Sequence, residues 1–378
     1  MEFLRKNVDR PWVRWVVGIL APLLSFLAVH GARVARNWQQ AQWEDDAFFK
    51  HDAEVITSLR DCFTAPNLYP GLYRPLSTHL YYYAGRIGWN HALWGYHLLN
   101  GILFLANGFL LIWICLEFFE VWWAVLAGCL WVSRVAAIEV VTNTCEAQGL
   151  LYAFFGLLSL KLFIIGSKKH RFGFVAWAFL SFLLALFSKE AAISIPPILF
   201  AYCWLFEDRK KCVWTLPFMA AAAAFVLALP RLASGRNTGF GYETSPLAWL
   251  RNLGGHALDF MNLVVLPVDD LAMASGVKNA IASPIFWLLT AVVFSCLVYA
   301  ASVHARWRNL IAPRTALFGM AFFVIACLPF VFFRDRLFMR YSYFGHAGLS
   351  ILGAAWTRSA FGEFLAIRAG RLSAGKPK

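Results

Sequence analysis

Long apolar runs separated by short polar segments make up most of this chain. The first run, residues 11–29, is long enough for an α-helix to cross a bilayer core of about 30 Å. Charged residues precede it and no small-residue cleavage site follows, so we interpret it as a retained signal anchor. Together the runs predict an all-α polytopic membrane protein with about ten transmembrane helices. The later runs are residues 92–116, 121–141, 150–165, 174–187, 191–206, 213–229, 284–303, 316–333 and 341–356.

Lysine and arginine are concentrated in the short segments between the runs, and they define an orientation. The N-terminus carries Arg5, Lys6 and Arg10 and is assigned to the cytoplasm by the positive-inside rule. With that choice, alternation of the spans puts four more basic segments on the same side; only the acidic loop 117–120 is an exception. We therefore predict that both termini are cytoplasmic. The basic segments are 168–171, 209–211, 306–308 and 361–378.

The opposite, non-cytoplasmic face carries the two longest segments between apolar runs, residues 31–91 and 231–283. Both are rich in aromatic and aliphatic residues, so we expect amphipathic helices along the membrane surface, for example near 246–266, and not disorder. This pattern predicts one transmembrane domain, residues 1–360, followed by a basic cytoplasmic tail, residues 361–378.

Composition excludes two broad classes of function. The chain is 60% apolar, 17% aromatic and only 15% charged, which is far from the composition of a soluble domain. Its net charge of +13 comes from clusters that follow the membrane topology, so we expect membrane lipids and no nucleic acid as partners. Most of the eight cysteines lie inside apolar runs without CxxC spacing, which argues against a zinc or redox centre.

Adjacent carboxylates follow the first span. Asp45 and Asp46 come after Trp43 and Glu44, close to the expected headgroup plane. Two neighbouring carboxylates repel each other, so one pKa rises and that group becomes suited to general base catalysis. The alternatives are a solvated loop or a helix N-terminus. No cofactor is required; a divalent cation held by Asp45 and Asp46 is possible.

Cations on the non-cytoplasmic face point to an anionic ligand. Arg334, Arg336 and Arg340 lie on the side that should be poor in basic residues, and guanidinium groups bind phosphate bidentately. Arg74, before Pro75, is a further candidate for an anionic headgroup or substrate.

The turn between the fifth and sixth runs carries Lys189 and Glu190 with almost no loop. Lys189 is a candidate for a lipid phosphate; the alternatives are an ion pair with Glu190 or a lysine that marks the membrane edge. Glu139 and Glu146 border the turn after the third run, where they are either functional or simply in contact with interfacial water.

Five short motifs, in order along the chain, carry a resemblance to a known family. The chain resembles the GT-C superfamily of membrane glycosyltransferases, and most of all the membrane part of the TMTC-type O-mannosyltransferases and their bacterial relatives, without a TPR region. The motifs are Trp43-Glu44-Asp45-Asp46, Tyr73-Arg74-Pro75-Leu76-Ser77, Tyr96-His97-Leu98-Leu99-Asn100, Ser188-Lys189-Glu190 and Arg340-Tyr341-Ser342-Tyr343.

The resemblance implies a GT-C-like fold and an inverting transfer of a sugar from a polyprenyl-phosphate donor to a protein or glycolipid acceptor. Asp45 or Asp46 would be the catalytic base, and Lys189 and Arg340 would lie near the donor phosphate. We add Arg74, Arg334 and Arg336 to that phosphate site. Supporting roles are expected for Glu44, Glu139, Glu146, Glu190, Tyr73, His97 and Tyr341.

Two other functions stay open on the sequence alone. A transporter or flippase for lipid or polysaccharide would place charges at mid-membrane, whereas here they cluster at one interface. A non-catalytic scaffold of the cell envelope would tolerate loss of the acids. The expected location is the bacterial inner membrane with a periplasmic active face, or the endoplasmic reticulum membrane in a eukaryote.

Overall fold

The computed structural model describes residues 11–37, 50–51, 54–65, 72–232, 314–332 and 339–374, and these ranges contain helices and no β-strand. Several sequence predictions concern residues outside the described ranges, so they stay predictions. They concern Glu44, Asp45, Asp46, Arg334, Arg336, the run 284–303 and the surface helix near 246–266.

Twelve α-helices make up most of the described chain. They are α1 (Pro11–Asn37), α2 (Asp61–Thr64), α3 (Tyr81–Trp89), α4 (Leu93–Cys115), α5 (Val121–Val132), α6 (Val135–Thr142), α7 (Ala147–Lys169), α8 (Phe172–Ser188), α9 (Ile195–Phe206), α10 (Leu216–Leu232), α11 (Arg314–Cys327) and α12 (Gly345–Ala374).

Tighter or wider helical turns link several of them. A π-helical turn spans Pro75–Leu80, and 3₁₀ turns span Thr144–Glu146, Glu190–Ser194, Arg209–Thr215, Leu328–Phe332 and Met339–Ser342.

Three of the apolar runs form helices of membrane length in the described part of the chain, and others form shorter apolar helices. In the described part of the chain, Leu93–Cys115, Thr144–Lys169 and Arg209–Leu229 are long and apolar enough to cross a bilayer, and shorter apolar helices pack around them. The chain is therefore a helical membrane protein. Helices α2 and α3 show that the predicted first loop, residues 31–91, carries short helices of its own.

The run 121–141 differs from the single helix that was expected. The structure divides it into α5 and α6, because Arg134 adopts an extended backbone between them (φ −74°, ψ 148°). The hydroxyl of Ser133 lies 2.7 Å from that of Ser25 on α1, which fixes the chain at this break. The break directs α6 along the end of the bundle, where Glu139 lies.

A close backbone contact joins the last two described helices, α11 and α12. A Cβ atom added to Gly319 would lie 2.6 Å from the carbonyl oxygen of Gly348 and 2.8 Å from the amide nitrogen of Leu352. Only glycine permits this approach, and small residues at helix contacts are typical of membrane bundles. The contact holds the two helices that flank Arg340 against each other.

Ion pairs at one end of the bundle explain the acidic exception in the topology. Glu117, after α4, contacts Lys161 at 2.5 Å and Lys168 at 2.7 Å, and Glu120 contacts Arg358 at 2.7 Å. The acidic loop 117–120 therefore lies among basic residues of the same end and neutralises part of their charge. We call this the basic end.

Candidate functional site

The other end of the bundle brings together charged residues from four separate segments. We call the group Arg74, Glu139, Glu146, Gln148, Lys189, Glu190 and Arg340 the charged cluster. Its members lie at helix ends and in turns, apart from Glu139 in the short helix α6, so the cluster is at the edge of the apolar region.

Lys189 is held in place by the turn between α8 and the following 3₁₀ turn. Helix α8 ends at Ser188, and Lys189 takes an extended backbone (φ −161°, ψ 133°). Its amide nitrogen donates to the Ala185 carbonyl at 3.0 Å, and its own carbonyl accepts from Ala192 at 3.0 Å. This extended residue between two helical segments directs the side chain sideways into the bundle, where it is 3% exposed.

Arg74 is fixed by the π-helical turn that begins at Pro75. Its carbonyl accepts from the amide of Thr78 at 2.9 Å and from the Thr78 hydroxyl at 2.7 Å. The hydroxyl of Ser77 donates to the Ser188 carbonyl at 2.6 Å, which ties this turn to the end of α8. The backbone of Arg74 is therefore anchored next to Lys189.

Two side chains accept hydrogen bonds from the Arg74 guanidinium. Its Nε atom donates to Glu190 Oε2 at 2.6 Å and a second nitrogen contacts Glu190 Oε1, so the ion pair is bidentate. A third nitrogen donates to the side-chain oxygen of Gln148 on α7. Glu190 therefore pairs with Arg74, and the alternative of a local pair with Lys189 is not what the structure shows.

Arg340 lies between two acids that come from the α6–α7 region. Its Nε atom is 2.9 Å from Glu146 Oε1, an ion-pair contact without the alignment of a hydrogen bond. Its backbone amide donates to Glu139 Oε2 at 3.0 Å. Glu146 is only 1% exposed and Arg340 7%, so each neutralises a charge that would be costly to bury alone.

Aromatic rings surround the Lys189 ammonium. It lies 5.2 Å from the ring centroid of Tyr341 and 5.8 Å from that of Phe330, and the two rings stack on each other at 4.8 Å with an angle of 3°. Among the described residues, the ammonium makes no hydrogen bond and no ion pair. Of the three cations in the charged cluster, Lys189 is the one not held by a carboxylate.

The electrostatics of the site suit an anionic ligand. Burial lowers the pKa of Lys189, and Arg74 and Arg340 add to the effect, while the charges of Glu146 and Glu190 oppose it. Burial also raises the pKa of Tyr341 to about 12, so its phenol is neutral at physiological pH. A buried ammonium in contact with ring faces gains from a negative group, because few competing waters reach it.

Tyr73 and His97 are two further residues that the sequence predicted for the site. Tyr73 donates from its hydroxyl to the Phe63 carbonyl at 3.2 Å and packs edge-on against Phe187, 6.2 Å away. His97 is buried near the start of α4, at 1% exposure. These two residues support the surroundings of the charged cluster.

Two members of the site carry no signal in the sequence. Gln148 is an ordinary polar residue in the first turn of α7, and Phe330 is one phenylalanine within an apolar run. Their importance depends on which segments become neighbours in the fold, and one sequence alone does not contain that information.

The fold has a counterpart among solved structures. No protein-family model matches the chain, and no curated protein matches it by sequence. The archaeal oligosaccharyltransferase AglB from Archaeoglobus fulgidus, in complex with an inhibitory peptide and a dolichol-phosphate, is similar with a TM-score of 0.50 and 15% identity. The match covers 98% of this chain and 53% of the archaeal chain, so this chain spans about half the length of that protein. The likeness is one of fold.

Proposed function

We propose that this chain is a GT-C-type glycosyltransferase that moves a sugar from a polyprenyl-phosphate donor to a protein or glycolipid acceptor at the non-cytoplasmic membrane face. The observation that carries the proposal is the Lys189 ammonium, which is buried, close to two ion-paired arginines and, within the part of the chain that the structure describes, not in contact with a carboxylate. The fold likeness to a protein solved with a dolichol-phosphate supports the same class of ligand.

In the proposed reaction, Lys189 binds the phosphate of the donor. Arg74 and Arg340 add positive potential beside it while Glu190 and Glu146 hold them in position. Arg334 and Arg336 are proposed as further phosphate contacts. Cations placed where negative charge develops stabilise a departing phosphate, and they act most strongly in a site that excludes water.

Transfer is proposed to occur in one inverting displacement. The carboxylate of Asp45 or Asp46 accepts the proton of the acceptor hydroxyl, whose oxygen attacks the anomeric carbon. The bond from that carbon to the phosphate oxygen breaks, and the electron pair leaves with the polyprenyl phosphate. Two adjacent carboxylates also suit a divalent cation, but no step here depends on one.

The location of the charged cluster favours this chemistry over transport. Alternating access requires binding groups near the bilayer midplane. Here Glu146, Lys189 and Arg340 lie in turns at helix ends. We therefore propose residues 1–360 as a catalytic membrane domain whose site opens at the membrane surface.

The test is donor consumption by the purified full chain in lipid nanodiscs, with a panel of polyprenyl-phosphate sugars. The assay compares the test variants Lys189→Met, Asp45→Asn and Asp46→Asn with a control. The control is Lys168→Met, which removes an exposed lysine at the basic end. Loss of transfer in folded Lys189→Met, with Lys168→Met unaffected, supports the proposal. If the wild type consumes no donor in a broad panel, or if Lys189→Met keeps full activity, the proposal is wrong.

A further inference from the structure

A second feature that suits a ligand lies at the basic end, where α8 and α10 begin. A cavity of about 310 Å³ opens between the two helices. Its lining includes Phe172, Ala176 and Phe179 from α8 and Val213, Pro217 and Phe218 from the other side. The volume is at the lower end of the range for ligand pockets, about 300–1,000 Å³.

Tightly packed aromatic rings lie beneath this groove and keep its shape. The rings of Phe179 and Phe218 meet edge to face at 5.2 Å, and Phe163 packs against Phe218 from the other side at 5.7 Å. Phe172 at the mouth is 74% exposed. The groove is thus an apolar channel with a firm floor and an open side that faces the lipid.

Two exposed cations lie next to the lining residues in the sequence. Arg171 directly precedes Phe172, and Lys210 comes three residues before Val213. The ammonium of Lys211 donates to the Ser167 carbonyl at 2.8 Å, which brings the two segments together. In the ranges that the structure describes, Arg171 and Lys210 form no ion pair, whereas Lys161, Lys168, Lys211 and Arg358 all do.

The backbone at the mouth also favours negative charge. Helix α8 begins at Phe172 with no side-chain cap and no acidic residue in its first turn. The free amide groups of a helix N-terminus attract anions, and the helix dipole adds to that attraction. Asp208 accepts from the backbone amide of Lys210 at 3.0 Å and so caps its own turn, while Glu207 pairs with Lys211.

We propose that this groove binds an acyl chain of an anionic phospholipid, with the lipid phosphate on Arg171, Lys210 and the N-terminus of α8. A phosphodiester attached to a long hydrocarbon is the ligand that matches an apolar channel with cations at its membrane-surface end. The site is separate from the charged cluster: α8 is 17 residues long, so its two ends are about 25 Å apart. Each site is therefore testable without the other.

The experiment is native mass spectrometry of the full chain, titrated with phosphatidylglycerol, phosphatidylcholine and water-soluble glycerophosphoglycerol. We expect one phosphatidylglycerol to be retained, and Arg171→Ala/Lys210→Ala to weaken its binding about thirtyfold, from the usual contribution of two surface cations. Arg358→Gln, at the same end but away from the groove, should leave binding unchanged. An equal loss per removed charge in both variants would mean that only the net charge matters, and would overturn the proposal.

A second pair of variants tests the groove without changing charge. Ala176 is exposed on the groove wall, so Ala176→Phe fills the channel and leaves the core intact. We expect it to abolish lipid retention, while Leu180→Phe, at an exposed position on the same helix outside the groove, keeps it. Unchanged retention in Ala176→Phe would overturn the proposal, as would binding of glycerophosphoglycerol as strong as that of the lipid.

Discussion

Arg74 and Glu190 are 116 positions apart in the sequence, yet their side chains form a two-point ion pair with an Nε–Oε2 distance of 2.6 Å. This pair joins the turn before α3 to the turn after α8. Because Glu190 pairs with Arg74, it forms no ion pair with the adjacent Lys189, and no other acid in the described ranges does so. The pair therefore determines which cation is available to a ligand.

Removal of the acid from this pair should destabilise the fold. Glu190→Gln leaves the Arg74 guanidinium, 7% exposed, without its main partner, and the expected loss is about 3–5 kcal/mol of unfolding free energy. The exposed pair of Glu120 with Arg358 is the matched control, and Glu120→Gln should cost at most about 1 kcal/mol. Denaturant titration in mixed micelles measures both. Equal losses would show that the buried pair contributes no more to the unfolding free energy than the exposed pair.

Alkaline pH should affect donor binding and stability in opposite directions through Lys189. Its pKa is lowered by burial, so the unfolded chain holds this proton more tightly than the fold does. Charged Lys189 therefore costs stability in full below its folded pKa, and that cost declines as the pH rises from the folded pKa to the unfolded value. Donor binding should weaken over the same range, because the ammonium is lost.

Lys189→Arg separates this effect from other titrations. Arginine stays charged to above pH 12, so the alkaline decline in donor binding should disappear in that variant. KM measured from pH 7 to pH 10.5 in both proteins is the readout. An identical decline in the arginine variant would assign it to another group, and the role given to Lys189 would be wrong.

The ring of Tyr341 should contribute to donor binding through its face and not through its hydroxyl. Tyr341→Leu removes the cation–π contact at 5.2 Å and should raise KM about fivefold, which corresponds to about 1 kcal/mol. Tyr341→Phe keeps the ring and its stack on Phe330, so KM should stay within twofold of the wild-type value. If the phenylalanine variant were as poor as the leucine variant, the hydroxyl would be the active part.

Backbone packing between α11 and α12 makes a prediction about stability alone. An added Cβ on Gly348 would overlap the Gly319 carbonyl oxygen, and backbone atoms have no rotamer into which they can move. Gly348→Ala should therefore lower the unfolding free energy by about 1–3 kcal/mol. On the same helix, Gly362 has open space around it, so Gly362→Ala should be neutral or slightly stabilising. Thermal unfolding of both variants distinguishes local crowding from a general effect of alanine.

The sequence predicted helices well where an apolar run begins and ends at polar turns. The run 92–116 corresponds to α4, Leu93–Cys115, within one residue at each end. Hydropathy was less informative where the bilayer boundary and the helix boundary differ. The run 341–356 ends at Trp356, but α12 continues to Ala374, because hydrogen bonding extends a helix beyond the apolar region.

Within the charged cluster, the phosphate site stays a prediction, while the structure shows where the predicted residues lie and which partners they have. Arg74, Lys189 and Arg340 were expected near one phosphate, and the structure brings all three to the same end of the bundle. Glu190 was a candidate partner for Lys189, but adjacent residues in a turn point in different directions, and Arg74 reaches Glu190 from a distant segment. Contacts of this kind depend on tertiary packing, and one sequence has no pattern that reveals them.

The contacts of Arg340 have a consequence for biosynthesis. A ribosome makes Glu139 and Glu146 long before Arg340, which follows Glu139 by 201 positions. A nascent chain therefore inserts two acids whose arginine partner has not yet been translated, and the cluster is assembled only when the segment leading into α12 arrives. A chain whose translation stops before Arg340 therefore carries Glu146 and Glu139 without the arginine that contacts both of them in the complete fold.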